Sequence, residues 1–180
     1  MTRRLNLPEL RVRHVAQDDP LAAPLLAELA VEYSSRYGGT AGEVHADLRD
    51  YPAAEFAPPH GALLMVTRNA EAVAGGAFQR YDAETAELKR IWTAREHRRQ
   101  GLGLFVLEQL EAEIARRGYR RIYLTTGPRQ PEAVGLYLRA GYTALYDPDL
   151  PAEEIGPHPF DKRLTARKQS PARESVGVLA

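Results

Sequence analysis

The sequence has no cysteine. That absence excludes disulfides, thiolate zinc sites and cysteine nucleophiles, and it fits a cytoplasmic protein. Net charge is missing too: 24 Lys and Arg balance 24 Asp and Glu. A neutral chain offers no electrostatic footprint for a nucleic-acid duplex or an anionic membrane surface. No apolar run approaches the ~20 residues that a membrane-spanning helix needs, and Met1 to Arg13 is too charged for a signal peptide. The five histidines (His14, His45, His60, His97, His158) lack metal-ligand spacing and read as surface or loop residues. No metal is therefore expected. There is no GxSxG elbow, no Gly-Lys-Ser/Thr of a P-loop, and no internal repeat.

What is present is enough for one well-cored domain, since 180 residues would make two cramped. The most informative stretch is Glu87 to Gly118. A strand candidate, Ala86 to Thr93, runs into the basic glycine loop Arg98-Arg99-Gln100-Gly101-Leu102-Gly103. Leu102, Val106, Leu110 and Ile114 then recur every four residues, with Leu107 alongside. That is the apolar stripe of an amphipathic helix. Glu108, Glu111, Glu113, Arg116 and Arg117 fall largely on its other side, and Gly118 is a natural C-cap. A helix N-terminus presents unpaired amides and a partial positive charge. Glycines let a phosphate approach the backbone closely, and arginines pair with it. The loop is thus a candidate pyrophosphate cradle, or else an ordinary turn before an ordinary helix. Residues 89–121 hold nine Lys and Arg against four Glu, while residues 1–60 hold six Arg against nine Asp and Glu. A basic middle in a neutral chain suits a small anionic ligand.

Leu10 to Val15 alternates like a half-buried strand. Asp18-Asp19-Pro20 starts a helix whose stripe (Leu21, Leu25, Leu26, Leu29, Tyr33) runs to about Tyr37, where Gly38-Gly39 ends it. Glu43 to Arg49 reads as a second short helix, and Tyr51 to Gly61 as a loop. Ala62 to Thr67 and Ala72 to Arg80 read as strands, with Gly75-Gly76 marking a bulge or a close backbone approach. Three antiparallel strands therefore lead into the glycine loop. Arg121 to Thr126 is a strand that should lie parallel to the one carrying Glu87. Pro131 to Ala140 is a helix, Tyr142 to Tyr146 a strand candidate, Pro148 to Pro159 a loop and Phe160 to Leu164 a final strand. Residues 1–9 read as an N-terminal extension and 165–180 as a disordered tail.

This order resembles the GCN5-related N-acetyltransferase (GNAT) superfamily over Leu10 to Leu164. Three local matches carry the resemblance: Arg98-x-x-Gly101-x-Gly103, the preceding strand Glu87 to Thr93, and Gln130-x-x-Ala133-x-x-Leu136-Tyr137-x-x-x-Gly141-Tyr142. One departure is Gln130, where the family usually has Asn. The resemblance implies an α/β fold with a mostly antiparallel mixed sheet, one splayed parallel pair, and helices on both faces. It implies acetyl transfer from acetyl-CoA to an amine acceptor, most simply a small molecule. Arg98, Arg99, Gln100, Gly101, Leu102 and Gly103 would hold the pyrophosphate. The backbone of Trp92 and Thr93 would pair with pantetheine, and Gln130 would contact the cofactor. Glu87 matches the family's general base and Tyr137 its general acid. Two readings stand for each: Glu87 as a base or as an ion-pair partner of Lys89, and Tyr137 as an acid or as a core tyrosine. The acceptor is expected between about Tyr33–His60 and Tyr142–Phe160. There Tyr33, Tyr37, Tyr51, Phe56 and His60 would form a pocket, and Glu43, Asp47, Asp50, Glu153 and Glu154 would attract an amine. A homodimer is common for the fold. Two other readings remain: a non-catalytic acyl-CoA sensor, which needs neither Glu87 nor Tyr137, and a different nucleotide-binding enzyme.

Overall fold

A computed structural model describes residues 10–165. The expected N-terminal extension and all but the first residue of the expected tail lie outside the described residues. Seven strands form one sheet in the order β1-β2-β3-β4-β5-β7-β6. The strands are β1 (Leu10–His14), β2 (Ala62–Arg68), β3 (Glu71–Arg80), β4 (Thr85–Thr93), β5 (Arg121–Thr126), β6 (Thr143–Ala144) and β7 (His158–Arg163). Only β4 and β5 are parallel; every other described pairing is antiparallel. The β2–β3 turn uses Asn69 and Ala70 at φ 50 and 67, the left-handed pair that matches the twist of a two-residue hairpin.

Two cores sandwich the sheet. On one face α3 (Leu102–Arg116) and α4 (Pro131–Arg139) cover Leu64, Val66, Phe78, Leu88, Ile122 and Leu124. On the other, α1 (Ala23–Tyr37) covers Leu63, Met65, Ala77 and Trp92. Asp19 caps the turn that leads into α1, accepting from the Leu21 amide at 2.8 Å. The following helix, α2 (Ala41–Asp50), is fixed by a capping box between Thr40 and Glu43, which satisfies two otherwise orphaned amides. The apolar stripe of α3 is buried as its spacing predicts: Leu102, Val106, Leu107, Leu110 and Ile114 are each at most 1% exposed. Burying each such side chain stabilises by roughly 1.5–3 kcal/mol.

The structure departs from the sequence reading in three places. Glu113 is buried rather than solvated, because Arg116 and Arg117 fold back onto its carboxylate. Burial alone would raise its pKa, but those two hydrogen bonds outweigh it and leave the pKa lowered. The loop before β7 contains a one-turn helix, α5 (Ala152–Ile155), and β7 runs through Pro159 from His158. Pro159 is tolerated because its carbonyl faces the short β6 side, accepting from Leu145, so its missing N–H falls past the two-residue ladder. His158 is also buried, its ring 4.6 Å from Tyr146 and its Nδ1 2.7 Å from the Gly156 carbonyl.

Candidate active site

The site begins where the sheet forks. Strand β4 pairs with β5 only from Thr85↔Arg121 to Glu87↔Tyr123. Beyond that, β4 follows β3 up to Thr93, and β5 follows β7 up to Thr126. The edge of β4 from Leu88 to Thr93 therefore faces a gap instead of a partner strand. A cleft of about 980 Å³ occupies the fork, reaching from Tyr33 and Tyr51 on one side to Gly103 and Tyr137 on the other.

A bulge creates part of this geometry. The β3–β4 register slips between Gly75 and Ala77, and Arg90 takes a positive φ of 59. Such a conformation costs a non-glycine residue roughly 1–3 kcal/mol. Leu88 and Ile91 pack in the α3 core while Trp92 packs in the α1 core, so the slip turns both Lys89 and Arg90 toward α1. The sequence holds a signal for this: its apolar step goes from Leu88 to Ile91, three residues instead of two.

The loop residues sit as a cradle. Gly101 is the N-cap of α3 in the left-handed region, φ 80, which glycine adopts without strain. Gly103 lets α3 approach α4: a Cβ there would stand 3.2 Å from Leu136. Among the described residues, no backbone carbonyl accepts from the amides of residues 99–103. Arg98, Arg99, Gly101, Leu102 and Gly103 all line the cleft, and Gln100 does not. Its side chain turns away to accept from Arg68 Nη1 at 3.0 Å, pinning the loop from behind. Open amides at a helix N-terminus with two adjoining guanidiniums form an anion site.

The remaining candidates divide. Trp92 and Thr93 line the cleft, and the Trp92 indole is tied to α1 by donating to Glu28 Oε2 at 2.9 Å. Gln130 lines the cleft but spends its amide oxygen on the β5–α4 turn, accepting from Gly127 N at 3.0 Å, Thr126 Oγ1 at 3.3 Å and Tyr37 at 3.4 Å. Glu87 is not a lining residue. It stands at the root of the fork on the α1 side, 3.2 Å from Lys89 Nζ and accepting from Gln79 Nε2 at 3.1 Å. Gln79 in turn accepts from the Tyr51 hydroxyl at 2.6 Å. Tyr137 is buried in the cleft wall, yet its hydroxyl has no hydrogen-bond partner among the described residues. Burial pushes its pKa far up, and Tyr33 adds to the shift. Tyr33 lines the cleft too, its own pKa raised by burial to about 12. Both phenols stay protonated at neutral pH.

Of the expected acceptor pocket, Tyr33, Tyr51 and Phe56 line the cleft, whereas Tyr37 and His60 do not. Glu43, Asp47, Asp50, Glu153 and Glu154 do not line it either. Three of them are engaged elsewhere, with Thr40, Arg49 and Arg129. The carboxylates that do line it are Glu32 and Glu132, both paired with Arg36. Sequence reasoning passed over Arg90 and Gln17. Arg90 is 8% exposed, donates to Gln17 Oε1 at 2.7 Å and to the Leu48 carbonyl, and lies over the rings of Tyr51 and Phe56.

Residues 25–142 match the model of the acetyltransferase (GNAT) family. The chain belongs to that family. A 61-residue stretch is 38% identical to a probable N-acetyltransferase 14 of Xenopus tropicalis, covering 34% of this chain and 30% of that relative. Three solved structures share the fold. A GNAT acetyltransferase of Staphylococcus aureus is 15% identical with a TM-score of 0.67, covering 87% of this chain and 99% of that one. The PaiA N-acetyltransferase of Thermoplasma acidophilum, solved with coenzyme A, is 13% identical with a TM-score of 0.68, covering 86% and 99%. A Salmonella typhimurium protein solved with its cofactor acetyl-CoA is 14% identical with a TM-score of 0.65, covering 89% and 96%.

Proposed function

We propose that the protein is an N-acetyltransferase that moves the acetyl group of acetyl-CoA to a small-molecule amine by direct attack in a ternary complex. The family membership supports acyl transfer, and two of the similar structures hold acetyl-CoA or coenzyme A. The observation that carries the reading is the Tyr137 hydroxyl, which opens onto the cleft beside the anion cradle with no described hydrogen-bond partner. A sensor that only held acyl-CoA would have no use for a free proton donor there, whereas a catalyst needs one.

The pyrophosphate of the donor sits on the amides of residues 99–103, with Arg98 and Arg99 beside it. Its pantetheine arm follows the open edge of β4, where backbone groups of Trp92 and Thr93 pair with its amides. An N–H aimed at the thioester carbonyl oxygen stabilises the charge that develops on attack. The amine enters from the α1 side and its nitrogen attacks the carbonyl carbon. The C–N bond forms, the C–S bond breaks, Tyr137 gives its proton to the departing sulfur, and the proton that the attacking nitrogen sheds returns to Tyr137 through water. An alkyl ammonium has a pKa of about 10.4 and must lose a proton before it can attack. Glu87 stands on the acceptor's face and takes that proton through water. Base and acid thus lie on opposite faces of the sheet, with the fork between them. Holding both substrates in the fork supplies much of the remaining acceleration.

The test is thiol release from acetyl-CoA by the purified protein against a panel of primary amines. The reading predicts release that depends on the amine and falls roughly a hundredfold in Tyr137→Phe. Acetyl-CoA binding with no amine-dependent release from any acceptor would favour the sensor.

A further inference from the structure

The cleft is lined by five cations, Lys89, Arg90, Arg98, Arg99 and Arg139, and by the two carboxylates that Arg36 holds. Arg98 and Arg99 belong to the anion cradle, and Lys89 is paired with Glu87. Arg90 is different. It is more than nine-tenths buried, on the acceptor side, and no carboxylate among the described residues forms an ion pair with it. Its two hydrogen bonds go to neutral oxygens, on Gln17 and Leu48. Gln17 is held in turn, donating to the carbonyls of Arg49 at 2.7 Å and Tyr51 at 3.0 Å. The guanidinium is therefore fixed in position with its charge uncompensated. A buried cation is ordinarily paired with an anion. A guanidinium also presents a planar fork that fits a carboxylate in two-point contact, and two hydrogen bonds leave three of its five N–H groups free. Around it stand Leu29, Tyr33, Leu48, Tyr51 and Phe56, an apolar and aromatic wall.

We propose that Arg90 receives a carboxylate on the acceptor, so that the amine acetylated here is an amino acid with an apolar or aromatic side chain. This rests on the acyl-transfer reading above. The carboxylate docks on Arg90, the side chain lies against Tyr51 and Leu48, and the amine is left facing the fork. Glu43, Asp47, Asp50, Glu153 and Glu154 lie outside the cleft, and Glu32 and Glu132, which line it, are engaged by Arg36, which agrees with the same assignment.

The experiment compares matched acceptors, phenylalanine with phenylalaninamide and leucine with leucinamide, in the wild type and in Arg90→Gln. The wild type is expected to favour each acid over its amide by at least about tenfold in kcat/KM. Arg90→Gln should erase that preference through the KM of the acid, while its affinity for acetyl-CoA stays within about twofold. An amide used as well as its acid, or a variant that slows both members of a pair equally, would overturn the proposal. A second readout needs no turnover. Phenylacetate, in the presence of coenzyme A, should raise the melting temperature of the wild type, and phenylacetamide should not; a shift from neither would overturn the proposal. This readout also stands if Arg90→Gln fails to fold. If phenylacetate binds but no acceptor is acetylated, the acyl-transfer reading fails and the carboxylate site survives.

Discussion

The two ends of α3 are built to opposite rules. At its N-terminal end a set of donors is left open. The amides of residues 99–103 meet no backbone acceptor among the described residues, and the Tyr137 hydroxyl beside them has no described partner. Farther along, the buried and half-buried Tyr142, Glu111, Lys162 and Glu113 are closed. Tyr142 donates to Glu111 at 3.0 Å, Lys162 donates to both oxygens of the same carboxylate and to the Ala140 carbonyl, and Glu113 is gripped by Arg116 and Arg117. Tyr137 and Tyr142 make the contrast sharpest, because their rings touch edge to face at 5.8 Å. Both are buried, and burial raises both pKa values. One hydroxyl is bonded within the fold, and the other is open to the cleft. Donors left open toward the cleft, more than burial or a perturbed pKa, mark the candidate site against the scaffold.

This contrast can be broken by mutation, and the largest effect belongs to Tyr137→Phe. Turnover should fall roughly a hundredfold, with thermal stability unchanged or slightly higher, because no hydrogen bond is lost. Its elevated pKa also means that wild-type kcat should show no basic-side fall from this group up to pH 10. A fall that Tyr137→Phe removes would contradict the assignment. Glu87→Gln comes next. It should lower kcat about tenfold to a hundredfold at neutral pH with little change in acetyl-CoA affinity. The deficit should shrink as pH rises and solvent deprotonates more of the amine. An unchanged kcat would leave Glu87 as the partner of Lys89 and nothing more.

Tyr142→Phe should do the reverse of Tyr137→Phe. Losing its bond to Glu111 costs about 1 kcal/mol, or about 2–4 °C of melting temperature in a chain of this size, while kcat stays within about twofold. The smallest effect is expected at Glu113. Its folded pKa lies below the unfolded value of 4.5, so the charged carboxylate stabilises above that pH. The contribution disappears as pH falls through the lower, folded value. Melting curves of the wild type and Glu113→Gln should therefore differ at pH 7 and converge under acid.

The open end of α3 was largely legible in the sequence and the closed end was not. Arg98, Gly101 and Gly103 carry backbone chemistry over six consecutive residues, so a short window suffices. The α3 stripe and the parallel β4–β5 pair were legible for the same reason: helical period and chain order are local. Glu113 was misplaced because its partners are charged residues, which periodicity assigns to solvent by default. The Glu111–Lys162 pair joins residues 51 positions apart, and no local pattern reports it. The acceptor side was hidden in the same way. Arg90 meets Gln17 across 73 residues and Leu48 across 42, and only the three-residue step from Leu88 to Ile91 hinted that it turns inward. Gln130 was recognised by its position in the motif, but its use of the amide oxygen to lock the Gly127 turn depends on contacts that no motif states.

The most direct test of the central claim, that the fork and its open loop bind acetyl-CoA, is a calorimetric titration of acetyl-CoA into the wild type and into Gly101→Val. Valine at φ 80 would put a strained, branched side chain in the proposed pyrophosphate cradle. The account predicts clear saturable binding to the wild type and roughly a hundredfold weaker binding to the variant, about 2.7 kcal/mol, with the variant still folded by its melting curve. Equal binding to both would place the pyrophosphate elsewhere, and no binding to the wild type would contradict the account at its root.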